Sequence, residues 1–326
     1  MTDSKKENAK FSDKQKEKTG NFIFTINLQS ADDVLVVIKI AHCYNEGANK
    51  LEVKNMKAKK LVVLAIVCMT IALTCVSVFA ACGNTGENEI IITGSTSVTP
   101  LMEKLAQEFE KQNSGVKILI TGSGSSQGIA DAQKGACEIG MSSRALKDEE
   151  LKSLNSIEIC KDGIVVIVNK DCELSNVTNE ELYELYANGT AIGSVNTPIN
   201  RSNGSGTRDG FNELIKNANG DSLKDLKELK GETQDQTGSV IERVAEAKNV
   251  LGYISLGSLN DRVKALSLNG VAATVENIKA GDYSLQRPFV LATKKGATLS
   301  ESAQKFLEFI QSEAGKKIIS DNGYIA

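Results

Sequence analysis

The chain has 326 residues, a formal net charge of −3 at pH 7, 5% aromatic residues and no Trp. This length suits two domains, each with a core of its own. The small charge and the lack of a basic stripe argue against a nucleic-acid partner. The scarcity of aromatic side chains argues against a site that stacks sugars or bases, so we expect a small polar or ionic ligand.

The first part of the chain carries the features of an export signal. An uncharged apolar run, 61–81, follows several Lys residues and ends in small residues immediately before Cys82. This order resembles a bacterial lipoprotein signal, so we predict a signal peptide over 56–81, a lipid on Cys82 and a polar tether over 82–88. A transmembrane helix over the same run is the alternative. Residues 1–55 are predicted to be a non-native or disordered extension.

From residue 89 onward, short apolar runs alternate with amphipathic stretches, which is typical of an α/β fold. The strand candidates are 90–92, 116–121, 164–169 and 251–254. The helix candidates are 100–112, 126–134, 180–186, 208–217, 239–247 and 301–320. The predicted fold class is therefore α/β.

The cysteines show neither a CxxC pair nor a spacing typical of zinc sites. We therefore predict no metal and no cofactor. Cys137, Cys160 and Cys172 are expected to be small buried hydrophobic residues, and a disulfide among them is the alternative.

One type of turn, rich in glycine and hydroxyl side chains, occurs three times at a predicted helix start. The three copies cover 94–97, 122–126 and 203–207, and Arg201 lies just before the third. A helix start leaves main-chain N–H groups unpaired and carries partial positive charge, so it suits an anion. Glycines allow close approach, and Ser and Thr hydroxyls add donors. Each turn alone could be an ordinary helix cap.

Nucleotide-binding and hydrolase motifs also use turns of this kind. The chain contains neither a P-loop motif nor a GxGxxG motif. Residues 124–128 match GxSxG between a strand and a helix, which is the setting of a hydrolase nucleophile at Ser126. Such a serine needs a general base, yet His42 is the only histidine and precedes the predicted mature chain. A Ser–Lys hydrolase stays as a remote alternative.

Several motifs together resemble a known family. The segments 94–100, 124–128, 139–144, 162–169, 201–208 and 251–254 occur in the order seen in the phosphate-binding lipoproteins of phosphate ABC transporters. The resemblance covers essentially all of the chain after Cys82. It implies a type II periplasmic-binding-protein-like fold, with two α/β lobes joined by a two-strand hinge. Lobe 1 would comprise 89–163 and 270–326, and lobe 2 would comprise 164–269.

The resemblance also implies a set of phosphate ligands, carried over residue by residue. They come from the three turns and from Arg201, and they are Thr96, Ser97, Ser125, Arg201, Ser205, Gly206 and Thr207. Ser143 completes the set and departs from the family pattern, because well-known members have Asp there. That Asp accepts a hydrogen bond from protonated phosphate and repels sulfate, so Ser143 raises the possibility of looser selectivity.

Four further residues are candidates for a supporting role around the ligands. Asp162 is a possible substitute acceptor for the phosphate proton, with a solvated turn residue as the alternative. Asn203 stands where some members have an Asp that pairs with the ligating Arg. Arg144 and Arg208 are expected either to form ion pairs between lobes or on the rim, or to tune the charge of the anion.

The implied function is binding of inorganic phosphate outside the cell membrane and delivery to the permease subunits of a phosphate ABC transporter. The protein is expected to be a lipid-anchored monomer on the extracytoplasmic face, and not an enzyme. A binding protein or sensor for another oxyanion is the alternative, beside the serine hydrolase.

Overall fold

The computed structural model describes residues 88–326. The strands in this range are β1 (Glu89–Gly94), β2 (Lys117–Gly122), β3 (Ile139–Ser142), β4 (Leu154–Asn169), β5 (Asn176–Val177), β6 (Thr197–Arg201), β7 (Glu232–Gln234), β8 (Val250–Ser255), β9 (Val263–Ala265), β10 (Ser267–Leu268) and β11 (Gln286–Lys294). The α-helices are α1 (Thr99–Gln112), α2 (Ser125–Lys134), α3 (Asp148–Leu151), α4 (Asn179–Asn188), α5 (Gly206–Leu214), α6 (Thr237–Glu246), α7 (Val275–Ala280), α8 (Glu301–Gln311) and α9 (Glu313–Asp321).

Most strands join one mixed sheet in the order β2-β1-β3-β11-β4-β8-β6-β7, with β9 paired to β4. Strands β1, β2 and β3 run parallel, and β11 is antiparallel to both β3 and β4. The long strand β4 pairs with β11 through its first part and with β8 through Ile164–Val168. The α/β prediction is therefore confirmed, and β4 is the element shared by the two ends of the sheet.

The second part of β4 is buried on both faces of the sheet. Ile164, Val166 and Val168 point into one cluster, which includes aromatic residues from α4, α5 and β8. Val165 and Ile167 point into another cluster with the apolar face of α6. This continuous apolar run is what a strand covered by helices on both faces requires.

The other end of the sheet has its own apolar cluster. The buried residues of β1 pack against the face of α1 that carries Leu101, Leu105 and Phe109. Helix α8 completes this cluster through Phe306 and Ile310. The packing thus gathers helices around both ends of the sheet and leaves the ends of β1, β2 and β6 free to carry turns.

One predicted helix is wrong in its extent. The stretch 301–320 forms two helices, α8 and α9, which meet at Ser312. The Ser312 Oγ accepts a hydrogen bond from the Gly315 N–H at 3.2 Å, so the serine caps the second helix and ends the first. The apolar periodicity continues across this break, which is why the sequence pattern reads as one helix.

Several predictions concern residues that lie outside the described range. They are the extension over 1–55, the signal peptide over 56–81, the lipid on Cys82 and nearly all of the tether. Between residues 88 and 326, no helix has both the length and the apolar character needed to span a bilayer. The division into two lobes at 163 and 270 stays a prediction.

Candidate functional site

The turns after β1 and β2 lie side by side because these strands are parallel and in register. Gly94 at the end of β1 stands opposite Gly122 at the end of β2. The main-chain oxygen of Gly94 accepts hydrogen bonds from the N–H groups of Ser123 (2.7 Å) and Gly124 (2.8 Å). Gly94 has a φ of 138°, and a Cβ there would lie 2.2 Å from the main-chain oxygen of Met141. Helices α1 and α2 therefore start at one edge of the sheet.

The third turn, residues 202–205 between β6 and α5, meets the second turn directly. The Ser126 N–H donates to the main-chain oxygen of Gly204 at 3.0 Å. The Gly206 N–H, at the start of α5, donates to Ser125 Oγ at 3.2 Å. A Cβ on residue 206 would lie 2.5 Å from the same Ser125 Oγ, so this approach requires glycine.

Hydroxyl groups from the three turns contact one another at this junction. Ser125 Oγ accepts from the N–H groups of Ser143 (3.1 Å) and Gly206 (3.2 Å), so both of its lone pairs are used. The Ser125 hydroxyl must therefore act as a donor, and Ser143 Oγ lies 3.2 Å away. A second pair, Ser97 Oγ and Thr207 Oγ1, lies at 2.8 Å.

Arg201 brings a positive charge to the same place. It is only 2% exposed, and its Nη2 donates to Thr96 Oγ1 and to the main-chain oxygen of Asp235, both at 2.9 Å. Within residues 88–326, no carboxylate forms an ion pair with this guanidinium, and its Nε has no hydrogen-bond partner. Burial lowers the pKa of Arg201 to about 10. The Asp235 carboxylate opposes this effect only from a distance, and a buried cation without a directly paired carboxylate favours an anionic ligand.

The chemistry of the site follows from its donor and acceptor inventory. Its side chains are hydroxyls and one guanidinium, and a guanidinium can only donate. A cavity of about 570 Å³ lies beside this group, lined by residues of the turns that include Thr96, Ser126, Ser205 and Asp235. No cluster of His, Cys, Asp and Glu suited to a metal ion occurs in the part of the chain that the structure describes. The arrangement suits an oxyanion, which offers only acceptors.

Thr237 belongs to this group of side chains, although the sequence analysis missed it. Its Oγ1 lies 3.2 Å from Thr96 Oγ1 and 3.3 Å from Ser97 Oγ, and Arg201 Nη1 donates to it at 3.4 Å. Thr237 opens helix α6 in the sequence Gln-Thr-Gly-Ser. That is a fourth turn of the type found at the other three helix starts, so the signal was present in the sequence.

The remaining predicted ligand, Ser205, has a local structural role. Its Oγ accepts from the Arg208 N–H at 3.4 Å and caps helix α5, and the residue is 6% exposed. The structure thus brings the other predicted ligands into two neighbouring hydrogen-bonded groups, one of Thr96, Ser97, Arg201 and Thr207, joined through Thr237, and one of Ser125, Ser143 and Gly206. Their role as phosphate ligands stays a prediction.

Three of the four supporting candidates lie on the rim of the site. Arg144 forms two hydrogen bonds to the Glu150 carboxylate, at 2.8 and 2.9 Å, and its Nε lies 3.0 Å from Asp209 of helix α5. Arg208 donates to the side-chain oxygen of Asn203. The ion pairs of Arg144 therefore link the segment after β3 to the start of α5.

Asp162 lies away from the hydroxyl groups, and the expectation of a solvated turn residue is wrong. It is fully buried where β4 crosses β11, and its carboxylate accepts from Arg287 Nη2 at 3.1 Å and from Ser255 Oγ at 2.7 Å. Burial raises the pKa of the Asp162 carboxyl, and Arg287 opposes that rise. These partners occupy its oxygens, so Asp162 does not meet the requirement for an acceptor facing the ligand.

The hydrolase alternative gains no support from the geometry. Ser126 is half-buried, and its main chain and side chain face Gly204. Among residues 88–326, no Lys or His side chain forms a hydrogen bond with its hydroxyl. A serine nucleophile requires such a base within reach.

A family model described as a PBP superfamily domain matches residues 80–314 of this chain. Among curated proteins, the phosphate-binding protein PstS of Bacillus subtilis is 28% identical over 298 residues, which is 83% of this chain and 95% of that protein.

Solved structures show the same likeness. A Clostridium perfringens protein assigned as a phosphate ABC transporter substrate-binding protein, solved with bound phosphate, is 34% identical, with a TM-score of 0.66. The alignment covers 73% of this chain and 99% of that one. An ABC-type phosphate transport receptor from Vibrio cholerae is 29% identical, with a TM-score of 0.57 and coverage of 73% and 99%.

Proposed function

We infer that this chain, which belongs to the PBP superfamily and within it to the PstS-type phosphate-binding proteins, is a phosphate receptor. It binds inorganic phosphate outside the cell membrane and delivers it to a phosphate ABC transporter. One relative of known structure is an ABC transporter substrate-binding protein with bound phosphate, and the other is an ABC-type phosphate transport receptor. The fold and the order of the site-forming turns support the same function here.

The observation that carries the proposal is the environment of Arg201. Its buried guanidinium and the neighbouring hydroxyl groups are hydrogen-bond donors, and no carboxylate within the described residues forms an ion pair with the guanidinium. Placing a charge in such a position costs free energy unless a partner compensates it. A phosphate ion would supply both the negative charge and the acceptor atoms that these donors need.

The selectivity of the site for phosphate over sulfate should depend on Ser143. The Ser143 hydroxyl lies within hydrogen-bonding distance of the Ser125 hydroxyl. Among the residues that the structure describes, no carboxylate forms a hydrogen bond with this pair. A hydroxyl can accept the proton of hydrogen phosphate, but it does not repel sulfate as a carboxylate does. We therefore expect phosphate to be preferred over sulfate by a smaller margin than in members with Asp at this position.

Isothermal titration of the purified protein with phosphate, arsenate and sulfate tests the function. One phosphate per chain, with arsenate close behind and sulfate weaker, is the expected result. Sulfate that competes as well as phosphate would contradict the phosphate assignment and favour a general oxyanion-binding protein. Absence of esterase and phosphatase activity is expected in the same preparation, because the protein acts as a receptor and not as an enzyme.

The site of action follows from the predicted lipoprotein signal. A lipid on Cys82 would hold the receptor at the extracytoplasmic face of the membrane and raise its effective concentration near the permease subunits. Mass spectrometry of the membrane-associated protein is expected to show a diacylated N-terminal Cys82. A mature chain that keeps residues 61–81 would mean that this segment is a transmembrane helix.

A further inference from the structure

A fourth turn, residues 235–238, reaches the hydroxyl groups of the site from the start of helix α6. Its main-chain oxygen at Asp235 accepts from Arg201 Nη2, and its Thr237 hydroxyl accepts from Arg201 Nη1. Thr237 is 5% exposed, although the residues on either side of it are exposed. The turn thus holds one side of the guanidinium and places a hydroxyl beside it.

The hydrogen-bond directions around Thr237 leave a surplus of protons. The side chains of Thr96, Ser97, Thr207 and Thr237 are joined by three hydroxyl–hydroxyl contacts, of 2.8, 3.2 and 3.3 Å. Each hydroxyl has one proton, so four protons share three contacts and at least one has no acceptor among them. Because Arg201 donates to both Thr96 and Thr237, their lone pairs face the guanidinium and their protons point elsewhere.

An ordinary capping role does not account for Thr237. The residue that precedes helix α6 is Gln236, and the helix has no side-chain capping hydrogen bond at its start. The Thr237 hydroxyl instead contacts Thr96, Ser97 and Arg201, three residues already expected to bind the anion. A buried hydroxyl in this position is placed for the ligand and not for the helix.

We propose that Thr237 is a direct ligand of the bound anion, so that four helix-start turns and not three converge on it. This inference rests on the proposed phosphate function. The Thr237 hydroxyl donates to a phosphate oxygen while its own oxygen accepts from Arg201, and the Asp235 carbonyl fixes the other side of the guanidinium. Binding of the anion thereby satisfies the surplus proton and the charge of Arg201 together.

Three variants test the proposal by titration with inorganic phosphate. Thr237→Val removes the hydroxyl and keeps the shape, and a lost hydrogen bond to a charged group should weaken binding by about 10- to 100-fold. Thr237→Ser keeps the hydroxyl and should stay within about 3-fold of the parent, because only a methyl group is lost. Ser239→Ala is the matched control, since Ser239 lies in the same helical turn, is half-buried and has no hydrogen bond from its hydroxyl within the described residues.

The melting temperature of the phosphate-free protein separates a ligand from a structural residue. Weaker binding by Thr237→Val with an unchanged phosphate-free melting temperature supports the proposal. Parent-like affinity in that variant overturns it, as does a loss of affinity that appears equally in Ser239→Ala or comes with a lower phosphate-free melting temperature. If the parent binds no phosphate, the proposed phosphate function itself fails, whereas parent-like binding by Arg201→Met would leave that function standing and show that the anion lies elsewhere.

Discussion

Among single residues, Arg201 shows how the site trades stability for binding. Its charge is buried, and burial lowers the pKa of the guanidinium to about 10. At neutral pH the group is still charged, so the protein carries the desolvation cost whenever the anion is absent. We propose that binding of an anion recovers this cost, so that the charge serves recognition and not folding.

Replacement of Arg201 by Met should separate these two effects. We expect phosphate affinity to fall by at least about 100-fold, because a charged hydrogen-bond donor to the anion is lost. The phosphate-free protein should become more stable by about 1 kcal/mol, since a buried charge is removed. Titration and urea unfolding measure the two quantities. Arg262→Met, at an exposed ion pair, is the control and should change neither.

Gly206 makes a second residue-scale prediction. A Cβ there would lie 2.5 Å from Ser125 Oγ and 2.8 Å from Ser143 Oγ. Gly206→Ala should therefore push the start of α5 away from these hydroxyls and weaken phosphate binding by about 10-fold or more, the equivalent of one hydrogen bond to a charged group.

The matched control for that variant is Gly238→Ala, near the start of helix α6. A Cβ at residue 238 meets nothing within 4 Å, so the site should be undisturbed. This variant should bind phosphate like the parent and gain up to about 1 kcal/mol from the higher helix propensity of alanine. Equal affinities for the two glycine variants would contradict the role assigned to the close approach at residue 206.

At the scale of elements, a buried salt bridge between Asp162 and Arg287 joins strands β4 and β11. The register places these residues opposite each other, and their side chains are 0% and 3% exposed. Arg287→Met should destabilise the protein by about 3–5 kcal/mol, because it leaves an uncompensated buried carboxylate. Urea unfolding measures this, and Asp162→Asn combined with Arg287→Met should recover much of the loss. A single variant as stable as the parent would show that the pair does not stabilise the fold.

Elements with a clear periodicity could be predicted from the sequence. The sequence predicts the strands before the first two turns, and the helices after them, to within a few residues of their ends. Each of these elements combines an apolar run with a glycine or proline at its end. Strand β3 and the first part of β4 were missed, since their residues alternate less clearly. Strand β11 was missed as well, although six of its nine residues are buried. Its role depends on pairing with strands distant in sequence, which local patterns do not reveal.

For the candidate site, residue type and order predicted which turns come together, and the role of their residues as ligands stays a prediction. The three turns and Arg201 were identified from residue type and order, and the structure brings their side chains into contact. The turn at Thr237 has the same residue types, but only the packing shows that it meets Thr96, which lies 141 positions away in the sequence. The partner of Asp162 lies 125 positions away, and no local pattern marks it.

At the scale of the whole molecule, the salt bridge between Arg144 and Asp209 fastens the first part of the chain to helix α5. Its two atoms lie 3.0 Å apart, and Asp209 is 41% exposed while Arg144 is 9% exposed. If phosphate binding closes a cleft between two lobes, this pair stabilises the closed form and its loss shifts the population towards the open form.

Asp209→Asn should therefore lower phosphate affinity by about 2- to 5-fold, the value of a partly exposed ion pair. Glu213→Gln is the control on the same helix, because its partner Lys224 and Glu213 itself are both exposed. Small-angle X-ray scattering should show a larger radius of gyration for Asp209→Asn than for the parent at limiting phosphate. Identical phosphate affinities for Asp209→Asn and Glu213→Gln would show that the salt bridge between Arg144 and Asp209 does not stabilise the closed form.

The buried thiols affect how the folded protein responds to oxygen. Cys137, Cys160 and Cys172 are free and lie in three separate apolar clusters, so among residues 88–326 oxidation has no native pair of thiols to join. Burial raises the pKa of the Cys137 and Cys160 thiols, which keeps them protonated and slow to react. The folded protein should therefore show the same melting temperature in aerobic and in oxygen-free buffer, because its thiols stay protonated and out of reach of an oxidant.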